Sequence, residues 1–333
     1  MPGKPLYEPP VTITPAILGL VADISVKVDR LAARGESAFD LRPRRVSQVR
    51  SIKGTLAIEG NTLGEEAITA ILEGKRVVAP LREIQEVRNA IAAYDVFEKW
   101  TPHDEADLLK AHGLLMSGLI DDAGRYRRGG VGVIAGSQVL HTAPPAKRVC
   151  LLMGDLLNWL SRAGLHPLVA GSVFHYEFEF IHPFTDGNGR LGRLWQTLIL
   201  CRWNPCFARI PVESIVHAHQ EEYYLALREA TKAADSAPFV EFMLAMILEA
   251  MESAASPQVS PQVSPQVSPQ VKRLLEALAG EMSGREIMEA LGLTDRKSFR
   301  QRYLAPALDA GLIEMTIPDK PNSHLQKYRL VGT

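Results

Sequence analysis

The chain has 333 residues, 46% of them apolar and 23% charged, with a formal net charge of −1; that allows two or three domains with buried cores and gives no global pull toward nucleic acid or membrane, so any such role must rest on a local patch. Its three cysteines, Cys150, Cys201 and Cys206, lie in apolar runs without a CxxC, the usage of reduced thiols packed as small hydrophobes in a cytoplasmic protein. The first ten residues lack the apolar stretch of a signal peptide, and no run of about 18 apolar residues offers a membrane span.

Apolar residues at i, i+3, i+4 spacing predict helices over 15–33, 45–58, 65–72, 84–100, 105–119, 148–162, 168–180, 191–203, 213–233 and 238–252. Gly, Pro and Asn punctuate them. One stretch, 130–141, reads as strand: Val131, Val133 and Val139 flank Gly136-Ser137, a small hairpin on a helical body. Residues 256–271 repeat Ser-Pro-Gln-Val four times. Proline at every fourth position forbids a helix and favours extended polyproline II, hence a semi-rigid linker. Beyond it come a helix over 283–291, a turn at Gly292-Leu293-Thr294 with Thr294 as N-cap, a helix from Asp295, and a hairpin over 313–331 with Pro318, Pro321 and Asn322 at its tip. That is the layout of a winged-helix module. The fold class is mainly α. The division is a helical region over 1–100, a core over 101–252, the linker over 253–271 and the winged helix over 272–333.

The chemistry concentrates in His182-Pro183-Phe184-Thr185-Asp186-Gly187-Asn188-Gly189-Arg190-Leu191-Gly192-Arg193, between two apolar helices. Gly187 and Gly189 let backbone N–H groups approach an anion, and the following helix begins there with its positive dipole end. Arg190 and Arg193 add fixed positive charge suited to bidentate phosphate binding. Asp186 is a hard oxygen ligand suited to Mg²⁺ bridging phosphates. His182 alone in this segment exchanges a proton near neutral pH. A lone Gly-Asn-Gly would be an ordinary interhelical loop; base, metal ligand, anion hole and charge clamp within twelve residues point to phosphoryl or nucleotidyl transfer.

This segment resembles the Fic signature HPFx(D/E)GN(G/K)RxxR at every specified position, and the resemblance extends from about Thr55 to Leu248. It implies a protein adenylyltransferase using ATP and Mg²⁺. His182 would take the proton of a Ser, Thr or Tyr hydroxyl on a target protein, and Asp186 would hold the metal. The binding loop Gly187, Asn188, Gly189, Arg190, Leu191, Gly192 and Arg193 would cradle the phosphates, with Arg193 on the γ-phosphate. Phe184 would anchor the loop in the core. The phosphorylating branch of the family has Ala and Lys where Gly187 and Gly189 stand, which favours AMP transfer. The hairpin, with Val131, Gly132, Val133 and Ile134, resembles the family's flap, which clamps the target by strand pairing. One tyrosine of the pair Tyr223-Tyr224 would lie near the adenine; Tyr223 is the candidate.

Thr55-Leu56-Ala57-Ile58-Glu59-Gly60 resembles the family's inhibitory pattern (S/T)xxxE(G/N), placed upstream in a helix of about 45–60. Glu59 would pair with Arg193 in place of the γ-phosphate, with Thr55 one helical turn back on the same face. The remaining histidines, His112 and His175 among them, show no metal-ligand spacing and read as structural or surface residues. Arg296, Lys297, Arg300 and Arg302 cluster on the last helix, which permits DNA contacts without requiring them. The partners implied are an unidentified target protein, a second copy of the chain and DNA, with no membrane. Three alternatives stand beside AMP transfer: removal of AMP, transfer of another phosphate-linked group, and a nucleotide-sensing DNA-binding regulator.

Overall fold

The computed structural model describes residues 6–33, 44–135, 138–255, 273–275, 277–278, 280–293, 299–309, 312–316 and 326–330. Its contacts divide the chain into two units, Met1–Ser256 and Pro257–Thr333. The Ser-Pro-Gln-Val repeat, Thr294 to Lys297, and the expected hairpin tip at Pro318, Pro321 and Asn322 lie outside the described residues.

Among its described residues the first unit is helical apart from one hairpin and the connecting turns. Its centre is α7 (Pro167–Ile181) packed on α8 (Asn188–Trp203). Both are buried along nearly their whole circumference, as expected of helices without a polar face. Phe174, Phe178, Leu194, Trp195 and Leu198 are inaccessible, and Trp100 lies against Trp195 with ring centroids 6.0 Å apart. Burying each such side chain stabilises the fold by about 1.5–3 kcal/mol. Around this centre run α1 (Pro15–Ala33), α2 (Arg44–Ile58), α3 (Glu65–Leu72), α4 (Leu81–Val96), α5 (Glu105–Leu115), α6 (Ala146–Arg162), α9 (Val212–Ala218), α10 (Gln220–Ala233) and α11 (Ala237–Ala255). The hairpin β1 (Gly132–Ala135) and β2 (Gln138–Thr142) is antiparallel, with Gly132 opposite Thr142 and an irregularity between Val133 and Ile134.

Helix α2 approaches α9 so closely that a Cβ on Gly54 would lie 2.5 Å from the backbone of Glu213. The Glu213 carboxylate, itself buried, accepts hydrogen bonds from Ser51 (2.7 Å), Tyr94 (3.0 Å) and Thr197 (2.9 Å), tying α2, α4, α8 and α9 together. Two expected elements differ. The stretch read as one helix over 213–233 bends at His219 (φ −113°, ψ 39°) into α9 and α10; α9 packs on α2 while α10 packs on α11, and periodicity does not register a one-residue bend that re-aims a face. Helix 105–119 stops at Leu115, because the chain turns through Gly118 at φ 70°. Of the cysteines, Cys206 is buried and Cys150 exposed rather than packed. No helix among the described residues is long and apolar enough to cross a membrane.

The second unit has its own apolar cluster, with Leu274, Ile287, Phe299, Ala307 and Ile313 at its centre. A capping box at Ser283 and Glu286 starts α12 (Gly284–Ala290). The turn Arg300–Leu304 runs into α13 (Ala305–Asp309). Strands β3 (Met282–Ser283), β4 (Ile313–Met315) and β5 (Lys327–Leu330) form an antiparallel sheet in the order β3-β5-β4.

Candidate active site

Helix α7 ends because His182 takes a left-handed conformation (φ 50°, ψ 62°), which costs a non-glycine residue on the order of 1–2 kcal/mol. Neighbours hold it there. The His182 N–H donates to the Phe178 carbonyl at 2.9 Å, and its carbonyl accepts from Arg127 Nε at 2.7 Å. The same buried guanidinium donates to the carbonyls of Gly129 (2.8 Å), Pro144 (2.5 Å) and Ile181 (3.2 Å). Gly129 and Pro144 flank the hairpin, so Arg127 fastens the hairpin's base to the backbone of His182. His182 Nδ1 lies 3.3 Å from the Glu179 carbonyl. A carbonyl only accepts, so this contact puts the ring proton on Nδ1 and the lone pair on Nε2.

The loop below His182 is closed from inside. Phe184 is inaccessible and stacks on His112 with centroids 3.6 Å apart. Asn188 Oδ1 accepts from Phe184 N–H (2.9 Å) and its Nδ2 donates to the Phe184 carbonyl (3.0 Å), so this side chain binds the loop to itself. His112 Nδ1 accepts from the Gly124 N–H at 2.9 Å, which leaves Nε2–H to donate to the Asp186 carbonyl at 2.9 Å. Burial pushes the His112 ring down to about 4, against the bond to Asp186 that favours the proton; it stays neutral. Gly187 has φ 85°, and a Cβ there would lie 2.5 Å from Met116 Sδ, so both conformation and space demand glycine.

Helix α8 starts at Asn188, next to Gly187. Arg190 Nη2 pairs with Asp186 Oδ1 at 2.8 Å, and that oxygen also accepts from the Gly187 N–H at 2.6 Å. Arg190 Nη1 stands 3.5 Å from Glu86, Glu86 stands 3.4 Å from Arg82, and Arg82 Nη2 stands 3.4 Å from Asp186 Oδ2. The four charges form a closed ring from α4 to the loop. Sequence reasoning missed Arg82 and Glu86; their only signal was an i,i+4 pair, which usually marks a solvated face.

Arg193 is 3% exposed and has three acceptors: Thr55 Oγ1 at 2.9 Å, the Thr55 carbonyl at 3.0 Å and Glu59 Oε1 at 2.6 Å. Burial disfavours this cation, yet Glu59 holds its proton more tightly than usual. Glu59 sits in the turn after α2, where Gln220 caps the Ile58 carbonyl at 3.0 Å. A Cβ at Gly189 would run into Glu59 Oε1 and lie 2.9 Å from Arg193 Nη1; glycine there makes room for the pair.

The structure brings together His182, Asp186, Arg190, Arg193, Glu59 and Thr55 around the two ends of α7 and α8. Leu191 is buried in the core, and a Cβ on Gly192 would lie 3.0 Å from Glu179 Oε1. Tyr223, expected beside an adenine, is 2% exposed, with its hydroxyl 3.2 Å from His175 Nε2 and its ring 5.7 Å from that of Phe239; Tyr224 is the half-buried member of the pair. Val131 precedes β1, which carries Gly132, Val133 and Ile134. Sequence reasoning also missed Glu179, 6% exposed. Burial, reinforced by Glu59 and opposed by Arg193, pushes its carboxyl up to about 8. The alternation Glu177-Phe178-Glu179-Phe180 gave no sign that this carboxyl faces inward.

Among the described residues no group of three or more His, Cys, Asp or Glu stands together as a metal cage. Of the loop's own residues, 182–193, Asp186 is the one that offers a hard carboxylate oxygen. That donor set fits a Mg²⁺ whose other ligands are phosphate oxygens and water, the usual arrangement for this ion with nucleotides.

Residues 102–200 match the Fic/DOC family model, and residues 269–331 match the model described as Filamentation induced by cAMP protein Fic-like, C-terminal domain. Protein adenylyltransferase Fic of Drosophila ananassae is 31% identical over 231 residues, 65% of this chain and 44% of that protein. Protein adenylyltransferase fic-1 of Caenorhabditis elegans is 32% identical over 203 residues, 57% of this chain and 37% of that protein. The chain thus spans less than half the length of these curated relatives. The crystal structure of a Fic family protein from Desulfovibrio desulfuricans G20 superposes with a TM-score of 0.73 at 52% identity, covering 98% of this chain and 99% of that one.

Proposed function

The chain belongs to the Fic family, and from that premise we propose that it is a protein adenylyltransferase restrained by its own Glu59. The observation that carries the reading is the pairing of one base with one anion cradle. His182 closes α7 with its lone pair on Nε2, and six residues later α8 opens, with Gly187 just before it and Gly189, Arg190 and Arg193 in its first two turns. In the reaction, His182 Nε2 takes the proton of a Ser, Thr or Tyr hydroxyl. The hydroxyl oxygen forms a bond to the α-phosphorus of ATP, the bond from that phosphorus to the bridging oxygen breaks, and pyrophosphate leaves with the electron pair. The N-terminus of α8 and Arg190 face the phosphates. Asp186 would hold Mg²⁺, which neutralises phosphate charge when bound. The edge of β1 offers backbone groups to an extended segment of the target.

Glu59 is the restraint. Its carboxylate fills the Arg193 guanidinium at 2.6 Å, the group expected to hold the γ-phosphate, so ATP binds with its α-phosphate misplaced. The test is incubation of wild type and Glu59→Gly with each nucleoside triphosphate, labelled at the α or γ position, and Mg²⁺. Stronger α-label on protein from ATP with Glu59→Gly supports the reading. Label from the γ position alone, or none from any nucleotide, overturns it. The sheet and helices of the second unit support a winged-helix module, which we read as the docking element for DNA or a protein partner.

A further inference from the structure

A buried acid beside the base has no role in the transfer step. Glu179 lies one helical turn before His182, with its carboxyl group inside the site. Oε2 stands 3.7 Å from His182 Nδ1, and Oε1 stands 3.9 Å from His175 Nε2. Oε1 is inaccessible and has no hydrogen-bond partner among the described residues, which is costly for a carboxyl oxygen unless something else calls for it. Glycine at 192 leaves it room. Resting on the adenylyltransferase reading, we propose that Glu179 is a positioning residue that links the restraint to the base: it is the charge partner of the His182 imidazolium, and Glu59 controls whether it carries that charge.

On its own helix Glu179 faces His175 and His182; from α8 it faces Arg193; from the turn after α2, Glu59; and from α10, Tyr223 and Tyr224. Arg127 reaches the His182 carbonyl from the other side. Burial holds His175 down to about 3, so it brings no charge. The charges that act on Glu179 are therefore Arg193, which favours its carboxylate, and Glu59, which opposes it together with burial. With Glu59 in place, Glu179 is mostly protonated at neutral pH and His182 has a neutral neighbour. With Glu59 gone, Arg193 favours the carboxylate. That carboxylate stabilises the imidazolium formed when His182 Nε2 takes the acceptor's proton. The Nδ1 proton stays on the ring throughout, donating to the Glu179 carbonyl. A carboxylate beside Nδ1 raises the proton affinity of the ring, so the restraint weakens the base as well as misplacing the nucleotide.

The sign of the effect makes this testable without nucleotide. Deleting the Glu59 charge acts directly on His182 by lowering its proton affinity, because a nearby anion is lost. Acting through Glu179, the same deletion raises it. The full chain, with histidine rings labelled for NMR and His182 identified by the signal lost in His182→Gln, is titrated as wild type, Glu59→Gln, Glu179→Gln and the double variant. Glu59→Gln is expected to move the His182 titration up by about 0.5–1 pH unit, and Glu179→Gln is expected to abolish that rise. A downward shift, no shift, or an upward shift that survives in the double variant overturns the proposal. Should Glu179→Gln fail to fold by thermal melting, the direction of the Glu59→Gln shift alone decides. In the Glu59→Gly background, Glu179→Gln should also cut turnover on the order of 10-fold while the KM for ATP holds within about 2-fold. Equal loss in both, or turnover left whole, counts against it. If no variant transfers label at all, the adenylyltransferase reading fails, and the ring titration still decides the role of Glu179.

Discussion

Arg193 and Glu59 meet at 2.6 Å, yet the two sides of that contact are built differently. Arg193 is 3% exposed, springs from the middle of a buried helix and keeps two bonds to Thr55 besides Glu59. The Glu59 side chain is 30% exposed and follows the last turn of α2, where Gly60 at φ 89° ends the helix. One side is over-determined and the other hangs from a helix end. A site that binds a triphosphate needs this asymmetry: the cation must stay in place while its resident anion gives way. The fixed side also includes the loop of His182, which Arg127 ties to the base of the hairpin, His112 ties to α5 and the turn at Gly124, and Asn188 ties to itself.

The largest effect belongs to the fixed side. His182→Ala is expected to cut transfer by about 10²–10⁴-fold and to leave ATP affinity within a few-fold, measured by initial rates of label incorporation and by calorimetry. More than half of wild-type turnover would remove His182 from the role of base. The loop's rigidity is tested through His112. Its folded pKa of about 4 lies below the ordinary histidine value, so the unfolded chain takes up the proton first. The stability that depends on the neutral ring is complete above roughly pH 6.5 and is lost as the pH falls toward 4, on the order of 3 kcal/mol in all. Urea unfolding at pH 7 and pH 4.5 should show a larger drop for wild type than for His112→Gln; equal drops would mean that the ring is not held neutral.

On the movable side, Glu59→Gly should raise the initial rate, on the order of 10²-fold if the restraint displaces the α-phosphate by about 1 Å. Adding Arg193→Ala should remove most of that gain. Equal rates for wild type and Glu59→Gly would show that the contact restrains nothing, and an undiminished double variant would show that Arg193 is not its object.

How far the sequence disclosed this arrangement follows the same division. The loop was legible because its chemistry is local: His, Asp, two Gly and two Arg fall in twelve consecutive residues, and only a few backbone shapes accept them. The helical body was legible through its period. What supports the loop was not. Nothing in the spacing of Arg125, Arg127 and Arg128 marks Arg127 as the one whose four carbonyl acceptors come from both sides of the hairpin and from the end of α7. His112 was set aside because it lacked ligand spacing, and its function lies in two backbone bonds. Glu179 and the ring of Arg82, Glu86, Arg190 and Asp186 depend on which side of a helix faces another, which one-dimensional spacing does not settle for charged residues.

A smaller effect should follow from the seam of α2 and α9 behind Glu59. A Cβ on Gly54 would meet the Glu213 backbone at 2.5 Å, with no flexible side chain to give way. Gly54→Ala should therefore push α2 from α9 and destabilise the unit by about 1–3 kcal/mol, read as a lower urea midpoint. Because Glu59 rides on α2, basal labelling should rise above wild type while staying below Glu59→Gly. A variant that melts like wild type would show that the seam yields.

The smallest expected effect tests whether fixed and movable parts both lie in the first unit. Every residue invoked for base, cradle and Glu59 contact falls within Met1–Ser256, which contacts separate from Pro257–Thr333. Few contacts cross such a boundary, so each unit is expected to fold alone. Deleting residues 257–333 should leave the core's melting temperature unchanged and its turnover in the Glu59→Gly background within about 2-fold of the full chain, since among the described residues the apolar cluster around Phe174 and Trp195 is supplied from before the cut. The decisive quantity is the ratio of Glu59→Gly to wild-type labelling, measured in both lengths. An unchanged ratio places the restraint wholly in the turn after α2. A ratio that collapses toward one on truncation would mean that the second unit holds Glu59 in place, and the asymmetry between Arg193 and Glu59 would then be only part of the restraint.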